Sequence, residues 1–216
     1  MKTLERLAHA FERARHEEVD DGSTATRILD AGRQQLELFG IQRTTMEDIA
    51  RRSGVSRVTV YRHFPNKDRL LEAVLLREVR RFLADLGKLL DGLGSDEERL
   101  VEGYLFIVRT LRDHALLQRF LRGEPELFLP QLTTEGGPVI ALATRLIAEY
   151  MVERDPGLTL EDATVVAELG VRLTVSFVVT PQSTIDFEDA FIVRRFAARS
   201  ADLLGVLKTK PTRRRE

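Results

Sequence analysis

Residues 44–71 limit the possible fold more than any other part of the chain, because they predict two short helices joined by a tight turn. Thr45 precedes apolar residues at helical spacing and, with Asp48 three residues later, resembles a capping box. Gly54 can adopt a positive φ at the end of the first helix, and Ser56 can cap the second. The sequence therefore predicts a helix-turn-helix.

The second of these helices, at about residues 57–64, has a surface suited to a polyanion. Val60 and Phe64 lie four residues apart on one inward side. No acidic residue occurs from Val55 to Lys67, and the Tyr, Thr and His residues of this helix can hydrogen-bond phosphate oxygens or base edges. An ordinary solvated basic helix pair is the alternative interpretation.

The charge distribution along the chain favours the first interpretation. Residues 41–81 contain ten Arg and Lys against five Asp and Glu, whereas residues 82–207 contain twelve against twenty. The formal net charge of −1 therefore combines a basic N-terminal part with an acidic remainder. Such an asymmetry orients a protein on nucleic acid.

The run VSRVTVYRHFPNKDRLL, residues 55–71, resembles the TetR/AcrR family of bacterial transcriptional regulators. The resemblance covers residues 24–75 at the level of motifs, and the remainder only in length and helical character. It implies that double-stranded DNA is the partner. The implied base-contacting residues are Val58, Thr59 and Arg62, and the implied phosphate-contacting residues are Thr45, Arg57, Tyr61, His63 and Lys67.

The rest of the chain predicts an all-α fold, because no segment alternates as a strand does. We expect a charged N-terminal extension over residues 1–23 and a three-helix helix-turn-helix bundle over 24–66. A helical ligand-binding and dimerisation domain over 67–207 begins with a linker helix at 67–90, about 36 Å long. Residues 208–216 form a basic tail.

The helix predicted at 160–179 is apolar nearly all round, so it must be covered on more than one side. We expect one side of this helix to pack on the domain core and the other on a second subunit. The alternative is a central helix that is buried on all sides within a monomer. The family resemblance implies a dimer formed by the last two long helices. The predicted interface residues are Ala163, Ala167, Gly170, Phe191, Ala198, Ala201 and Leu204.

Aromatic residues predict a cavity for a small lipophilic effector, if the helices that carry them surround a pocket as the resemblance implies. These residues are Phe82, Tyr104, Phe106, Phe120, Phe128, Tyr150 and Phe177. Core packing is the alternative for each. Arg109 and Arg172 interrupt apolar helices and can bind a ligand carboxylate or phosphate, or else pair with Glu102 or Glu168.

Catalytic and metal chemistry have no support in the sequence. The chain has no cysteine, and its four histidines are scattered. No Gly-rich phosphate loop occurs, so we expect no cofactor, no metal and no enzymatic activity. The longest apolar region, 163–181, is interrupted by charges, and the N-terminus lacks the form of a signal peptide, which predicts a soluble cytoplasmic protein.

With these features, the family resemblance implies a dimeric repressor that binds a palindromic operator and is released by a small lipophilic ligand. Two alternatives remain open at this stage. One is a similar DNA-binding protein without small-molecule induction, and the other is an all-α lipid carrier or enzyme.

Overall fold

The computed structural model describes residues 23–154, 157–185, 189, 191, 192 and 195, and over this range all regular structure is α-helical. This confirms the predicted all-α fold. No helix among the described residues is long and apolar enough to cross a membrane. In chain order the helices are α1 (Thr24–Arg43), α2 (Met46–Ser53), α3 (Arg57–His63), α4 (Lys67–Asp91), α5 (Asp96–Asp113), α6 (Ala115–Gly123), α7 (Pro125–Leu132), α8 (Gly137–Arg154) and α9 (Leu160–Val179).

Two compact units make up the described chain. The first contains residues 23–85 and 113–139, and the second contains residues 86–112 and 140–185. Helices α6 and α7 therefore pack with the N-terminal helices, whereas the sequence predicted them within the C-terminal domain at 67–207. Each unit is thus built from two separate stretches of the chain.

The first unit has one continuous apolar core. Full burial of an aliphatic or aromatic side chain stabilises a fold by about 1.5–3 kcal/mol, so a core of this size can hold short helices that would not form alone. Its buried members come from α1, α2, α3, α4, α6 and α7: Ile28, Ala31, Leu36, Met46, Ile49, Ala50, Val60, Leu70, Leu71, Val74, Leu116, Phe120 and Phe128.

The second unit contains two smaller apolar clusters. In one, Val101, Leu105 and Val108 of α5 pack with the partly buried Tyr104 and with Phe177 of α9. In the other, Ala148 of α8 packs against Ala163 and Ala167 of α9. The small alanine side chains allow α8 and α9 to approach closely, and α9 thereby contributes to both clusters.

One side of α9 is left uncovered by the part of the chain that the structure describes. Val165, Leu169 and Leu173 recur at intervals of four residues and are 48%, 38% and 40% exposed. Ala163 and Ala167 on the other side are almost fully buried. The helix is therefore apolar on a side that the described residues of its unit do not cover.

Candidate nucleic-acid interface

The boundaries of α2 and α3 follow the local chemistry expected from the sequence. Thr45 Oγ1 accepts a hydrogen bond from the Asp48 backbone N–H at 3.1 Å and caps α2. Gly54 follows α2 with φ 67°, in the left-handed region. Ser56 Oγ accepts from the Thr59 N–H at 3.1 Å and caps α3. These features confirm the predicted helix-turn-helix.

Helix α3 is anchored from its inner side. Val60 is fully buried in the core of the first unit, and Phe64 is half-buried against the same core. Because this side is fixed, the side chains of the outer side project into solvent. Val58 is 79% exposed, and Arg62, four residues later on the same side, is also exposed.

The other predicted contact residues of α3 lie beside this pair. Tyr61 and His63 are exposed. Thr59 is half-buried, and its hydroxyl lies 2.9 Å from Ser56 Oγ. A hydroxyl can donate one hydrogen bond and accept others, so this contact leaves Thr59 able to bond a base edge.

Arg57 is held within the protein by two contacts. Its Nη2 lies 2.6 Å from Glu47 Oε1, and its guanidinium lies over the Tyr61 ring, 5.5 Å from the centroid. Both partners of the ion pair are about half exposed, so the pair is weak and can be exchanged for a phosphate contact. The contact meanwhile keeps Arg57 at the surface shared by α2 and α3.

Lys67 has a placement that the sequence did not predict. Its ammonium donates to the backbone carbonyl oxygens of Ile41 at 3.0 Å and Thr44 at 3.3 Å, at the end of α1. The side chain is half-buried. A cation is favourable beside the last carbonyls of a helix, so Lys67 stabilises the end of α1. Its predicted contact with phosphate stays a prediction.

Asp48, the acidic residue of α2 nearest to the turn, keeps its negative charge but is bound by partners within the protein. The hydrogen bond from the Thr45 hydroxyl, helped by Arg51, holds the pKa of the half-buried Asp48 carboxyl below its ordinary value. Thr45 donates this bond at 2.6 Å, so the hydroxyl predicted to contact phosphate is engaged within the protein.

Two basic side chains of this surface were missed in the sequence analysis. Arg51 and Arg52 are exposed in the last turn of α2, three and two residues before Gly54. The sequence signal that could have identified them is a pair of adjacent arginines at the end of a helix, beside a turn predicted to contact DNA. With Arg57 and Arg62 they make this surface strongly positive.

The residues predicted to line a pocket are divided between the two units. Phe120 and Phe128 belong to the buried core of the first unit, where their rings stack at 4.3 Å between centroids. Tyr104 and Phe177 pack together in the second unit. Burial raises the pKa of the Tyr104 phenol to about 12, although a hydrogen bond with Thr174 opposes this rise.

The two arginines and the remaining aromatic residues lie as follows. Arg172 is exposed on α9 and pairs with Glu168, one of the partners named above, with Nη2 2.7 Å from Oε1. Arg109 and Phe106 are half-buried on α5. Phe82 is half-buried on α4 in the first unit, and Tyr150 is half-buried on α8 beneath the Arg154 guanidinium. No group of three or more potential metal ligands occurs among the described residues.

The residues predicted to form a dimer interface also lie in different surroundings. Ala163 and Ala167 face the chain's own core, so in this structure they are not available to a partner. Gly170 is half-buried and borders open space. Phe191 is 72% exposed. Ala198, Ala201 and Leu204 lie outside the described residues.

Two family models match the chain. Residues 28–74, which contain α2 and α3, match the model of bacterial regulatory proteins of the tetR family. Residues 97–199 match the model of the bacterial tetracyclin repressor C-terminal domain. The chain belongs to the TetR family of transcriptional regulators. It is therefore a DNA-binding transcriptional regulator.

Similar proteins of known sequence are named HTH-type transcriptional regulators. This TetR-family regulator is 28% identical over 183 residues to the HTH-type transcriptional regulator AlkX of Mycobacterium tuberculosis, covering 83% of this chain and 86% of that protein. It is 33% identical over 105 residues to an uncharacterized HTH-type transcriptional regulator of Mycobacterium bovis, covering 49% and 53% of the two chains.

Solved structures agree with this fold. The TetR family repressor AlkX from Dietzia sp., described as implicated in biodegradation of n-alkanes, has a TM-score of 0.61 and 26% identity, over 87% of this chain and 98% of that one. GusR of Salmonella enterica has a TM-score of 0.59 and 24% identity, over 87% and 98%, and shares the fold.

Proposed function

We propose that this TetR-family regulator binds a palindromic DNA operator as a homodimer and represses transcription until a small lipophilic effector releases it. The observation that carries the proposal is the outer side of α3, where Val58 and Arg62 stand together above the buried Val60. Arg62 suits bidentate contact with guanine, and Val58 suits contact with a thymine methyl group. Thr59 completes the base-reading set.

Phosphate contacts would fix the position of α3 in the major groove without reading sequence. Arg57, Tyr61 and His63 are exposed around the base-reading residues, and Arg51 and Arg52 add positive charge from α2. The ion pair between Arg57 and Glu47 would open as phosphate replaces the carboxylate.

The uncovered apolar side of α9 supports the dimer. Val165, Leu169 and Leu173 form a stripe that a second copy of the same helix can cover. A two-fold axis makes such an interface self-complementary and presents two equivalent copies of α3, which matches a palindrome. Ala163 and Ala167 would then stabilise α9 from inside the subunit.

The second unit supports a lipophilic effector. Tyr104 and Phe177 pack with aliphatic side chains there, whereas Phe120 and Phe128 are committed to the core of the other unit. Thr144 on α8 is only 5% exposed, and its hydroxyl has no hydrogen-bond partner in the described part of the chain. With the link of the Dietzia repressor to n-alkanes, these features favour an alkyl-chain effector with one polar group.

Selection of bound sequences from random double-stranded DNA, followed by footprinting, tests the DNA-binding proposal. Arg62→Ala should reduce the free energy of binding to the selected DNA sequence by about 1–3 kcal/mol and relax specificity at one base position. Arg145→Ala removes the same charge from the second unit and should leave the selected sequence unchanged. The docking of α3 would be wrong if Arg62→Ala selected the same sequence with the same affinity.

Sedimentation analysis tests the dimer. Leu169→Glu places a charge on the exposed stripe and should yield the mass of a single chain, whereas Leu127→Glu, on an exposed leucine of α7, should not. A dimer that persists in Leu169→Glu would place the interface elsewhere.

Release of the selected DNA by hexadecane and by 1-hexadecanol tests the effector. We expect the alcohol to release DNA at lower concentration, and Thr144→Val to abolish that difference while leaving the folded protein as stable or more stable. If neither compound releases DNA from the wild-type protein, the effector is not an alkyl chain of this kind.

A further inference from the structure

The last turn of α1 has backbone groups that its own helix cannot satisfy. Gly40 interrupts the helix with φ 78° and ψ −177°, and residues 41–43 resume it for one turn. The first N–H groups after such an interruption have no acceptor four residues earlier, as at any helix start. If buried without a partner, each would cost about 1–3 kcal/mol.

The carboxylate of Glu124 accepts both of these N–H groups. Its Oε2 lies 2.8 Å from the Ile41 nitrogen, and its Oε1 lies 2.7 Å from the Gln42 nitrogen. Glu124 is only 5% exposed. Hydrogen bonds to an ionised acceptor in a buried site are among the stronger ones in proteins, and a negative charge is favourable at the start of a helical turn.

Gly40 permits this approach in two ways. Its positive φ is a conformation that other residues rarely adopt. A Cβ atom at position 40 would also lie 2.9 Å from Glu124 Oε2, a distance that Cβ atoms essentially never show, and 3.1 Å from Oε1. The glycine and the carboxylate are therefore matched across 84 positions of the chain.

The opposite end of the same turn is held by a positive charge. Lys67 donates to the carbonyl oxygens of Ile41 and Thr44, and the Thr44 hydroxyl donates to the Gly40 carbonyl at 2.6 Å. The turn thus has a carboxylate on its N–H groups and an ammonium on its carbonyl groups. Thr45, the next residue, is the cap of α2.

Glu124 is itself fixed by the corner between α6 and α7. Its backbone N–H donates to the Phe120 carbonyl at 2.9 Å, and its own carbonyl accepts from the Leu127 N–H at 3.0 Å. A change at this corner would therefore move the carboxylate directly. The carboxylate would in turn move the residues that begin the helix-turn-helix.

We propose that Glu124 is a positioning residue for DNA binding, whose carboxylate couples the α6–α7 corner to the start of α2. The proposal rests on the DNA-binding function argued above and adds a determinant outside the DNA-contacting surface. When the carboxylate is present, the turn and α2 take the arrangement that docks on DNA. When it is absent, only a fraction of molecules has that arrangement, and the apparent affinity falls by that fraction.

The variant Glu124→Gln separates this effect from simple electrostatics. Glutamine has similar size but offers one acceptor oxygen, so one of the two N–H groups faces an NH₂ group instead. Removal of a negative charge should by itself strengthen binding to a polyanion. The positioning role predicts the opposite sign: binding of the selected DNA weakens about tenfold, the amount expected when roughly one molecule in ten is competent.

Glu126→Gln is the matched control, because Glu126 is exposed two residues later and the change in charge is identical. It should bind DNA as tightly as the wild type or slightly more tightly. The slope of log K against log salt should be unchanged in Glu124→Gln, since the DNA-bound form keeps all its phosphate contacts. Amide exchange at Ile41 and Gln42 should accelerate in Glu124→Gln and not in the control.

Equal DNA affinity of the two variants, or equal amide exchange at Ile41 and Gln42, would overturn the proposal. If the wild-type protein selects no DNA sequence, the proposed function fails, and amide exchange across α2 still decides whether Glu124 holds this turn. If Glu124→Gln does not fold, Glu124→Asp, which keeps the charge but shortens the reach, provides the same comparison.

Discussion

The stacked pair of Phe120 and Phe128 offers a direct test of how the first unit is assembled. The change Phe120→Leu keeps an apolar side chain of similar bulk but removes the ring that stacks at 4.3 Å on Phe128. Phe120 is only 1% exposed, so no solvent can compensate for the loss. The substitution lies in α6, far in sequence from α2 and α3.

The expected cost follows from these contacts. The stacked geometry accounts for about 0.5–1.5 kcal/mol beyond the area buried. A change of shape in a well-packed core adds less than about 1.5 kcal/mol. A loss of about 1–2 kcal/mol should lower the melting temperature by roughly 2–8 °C for a chain of this size.

Differential scanning calorimetry measures the shift, and amide exchange locates it. We expect loss of protection first in α1, α2 and α3, because their core is the one that Phe120 fills. Leu127→Ala is the control on the neighbouring helix: Leu127 is 44% exposed, and its truncation should cost less than about 0.5 kcal/mol.

Equal melting temperatures of Phe120→Leu and Leu127→Ala would contradict the structural role assigned to Phe120. Loss of protection first in α8 and α9 would also contradict it, since that would assign α6 to the stability of the second unit.

Three further outcomes are expected. Lys67→Met should lower DNA affinity but leave the salt slope nearly unchanged, because its ammonium contacts carbonyl groups; a slope reduced by about one unit in a salt titration would instead indicate direct phosphate contact. One of the three tyrosines should ionise only near pH 12, which a titration followed by tyrosinate absorbance at 295 nm would show, and Tyr104→Phe should remove that step. The stability that the buried neutral phenol supplies is lost as pH rises from 10 through 12. Burial opposes ionisation of Glu78, but the hydrogen bond from His114 and the charge of Arg33 together hold its pKa below 4.5. Glu78 therefore stabilises the fold above that pH, and this contribution is lost as pH falls through the lowered pKa. Glu78→Gln should flatten the acid side of a profile of melting temperature against pH between pH 6 and 3.

The features that were predicted from the sequence are those determined within four residues. The caps at Thr45 and Ser56 and the left-handed Gly54 all act on their immediate neighbours, so local chemistry determines them. The burial of Val60 against the exposure of Val58 follows from helical spacing in the same way. The boundaries of α2 and α3 and the exposed side of α3 were therefore predictable from the sequence, whereas contact of that side with DNA stays a prediction.

Features that depend on distant partners were not predicted. Gly123 and Pro125 mark an interruption between helices, and nothing local distinguishes Glu124 as the acceptor for a turn more than 80 residues earlier. Helix α9 is apolar on both sides, so its pattern does not tell that Ala163 faces inward while Leu169 faces out. The position of Phe120 was ambiguous for a similar reason, because aromatic residues of a core and those of a pocket recur at the same helical spacing.

The two-stretch composition of the first unit has a consequence for recombination between regulators of this kind. A hybrid joined after residue 85 inherits α2 and α3 but takes its α6 and α7 from another parent, including whatever residue stands in place of Glu124. The natural unit of exchange is then residues 23–85 together with 113–139. A hybrid that takes its DNA specificity from another regulator and still folds therefore needs two more crossovers after the junction at residue 85, one before residue 113 and one after residue 139. A hybrid sensor made with a single fusion point would lose stability in the unit that contains α2 and α3.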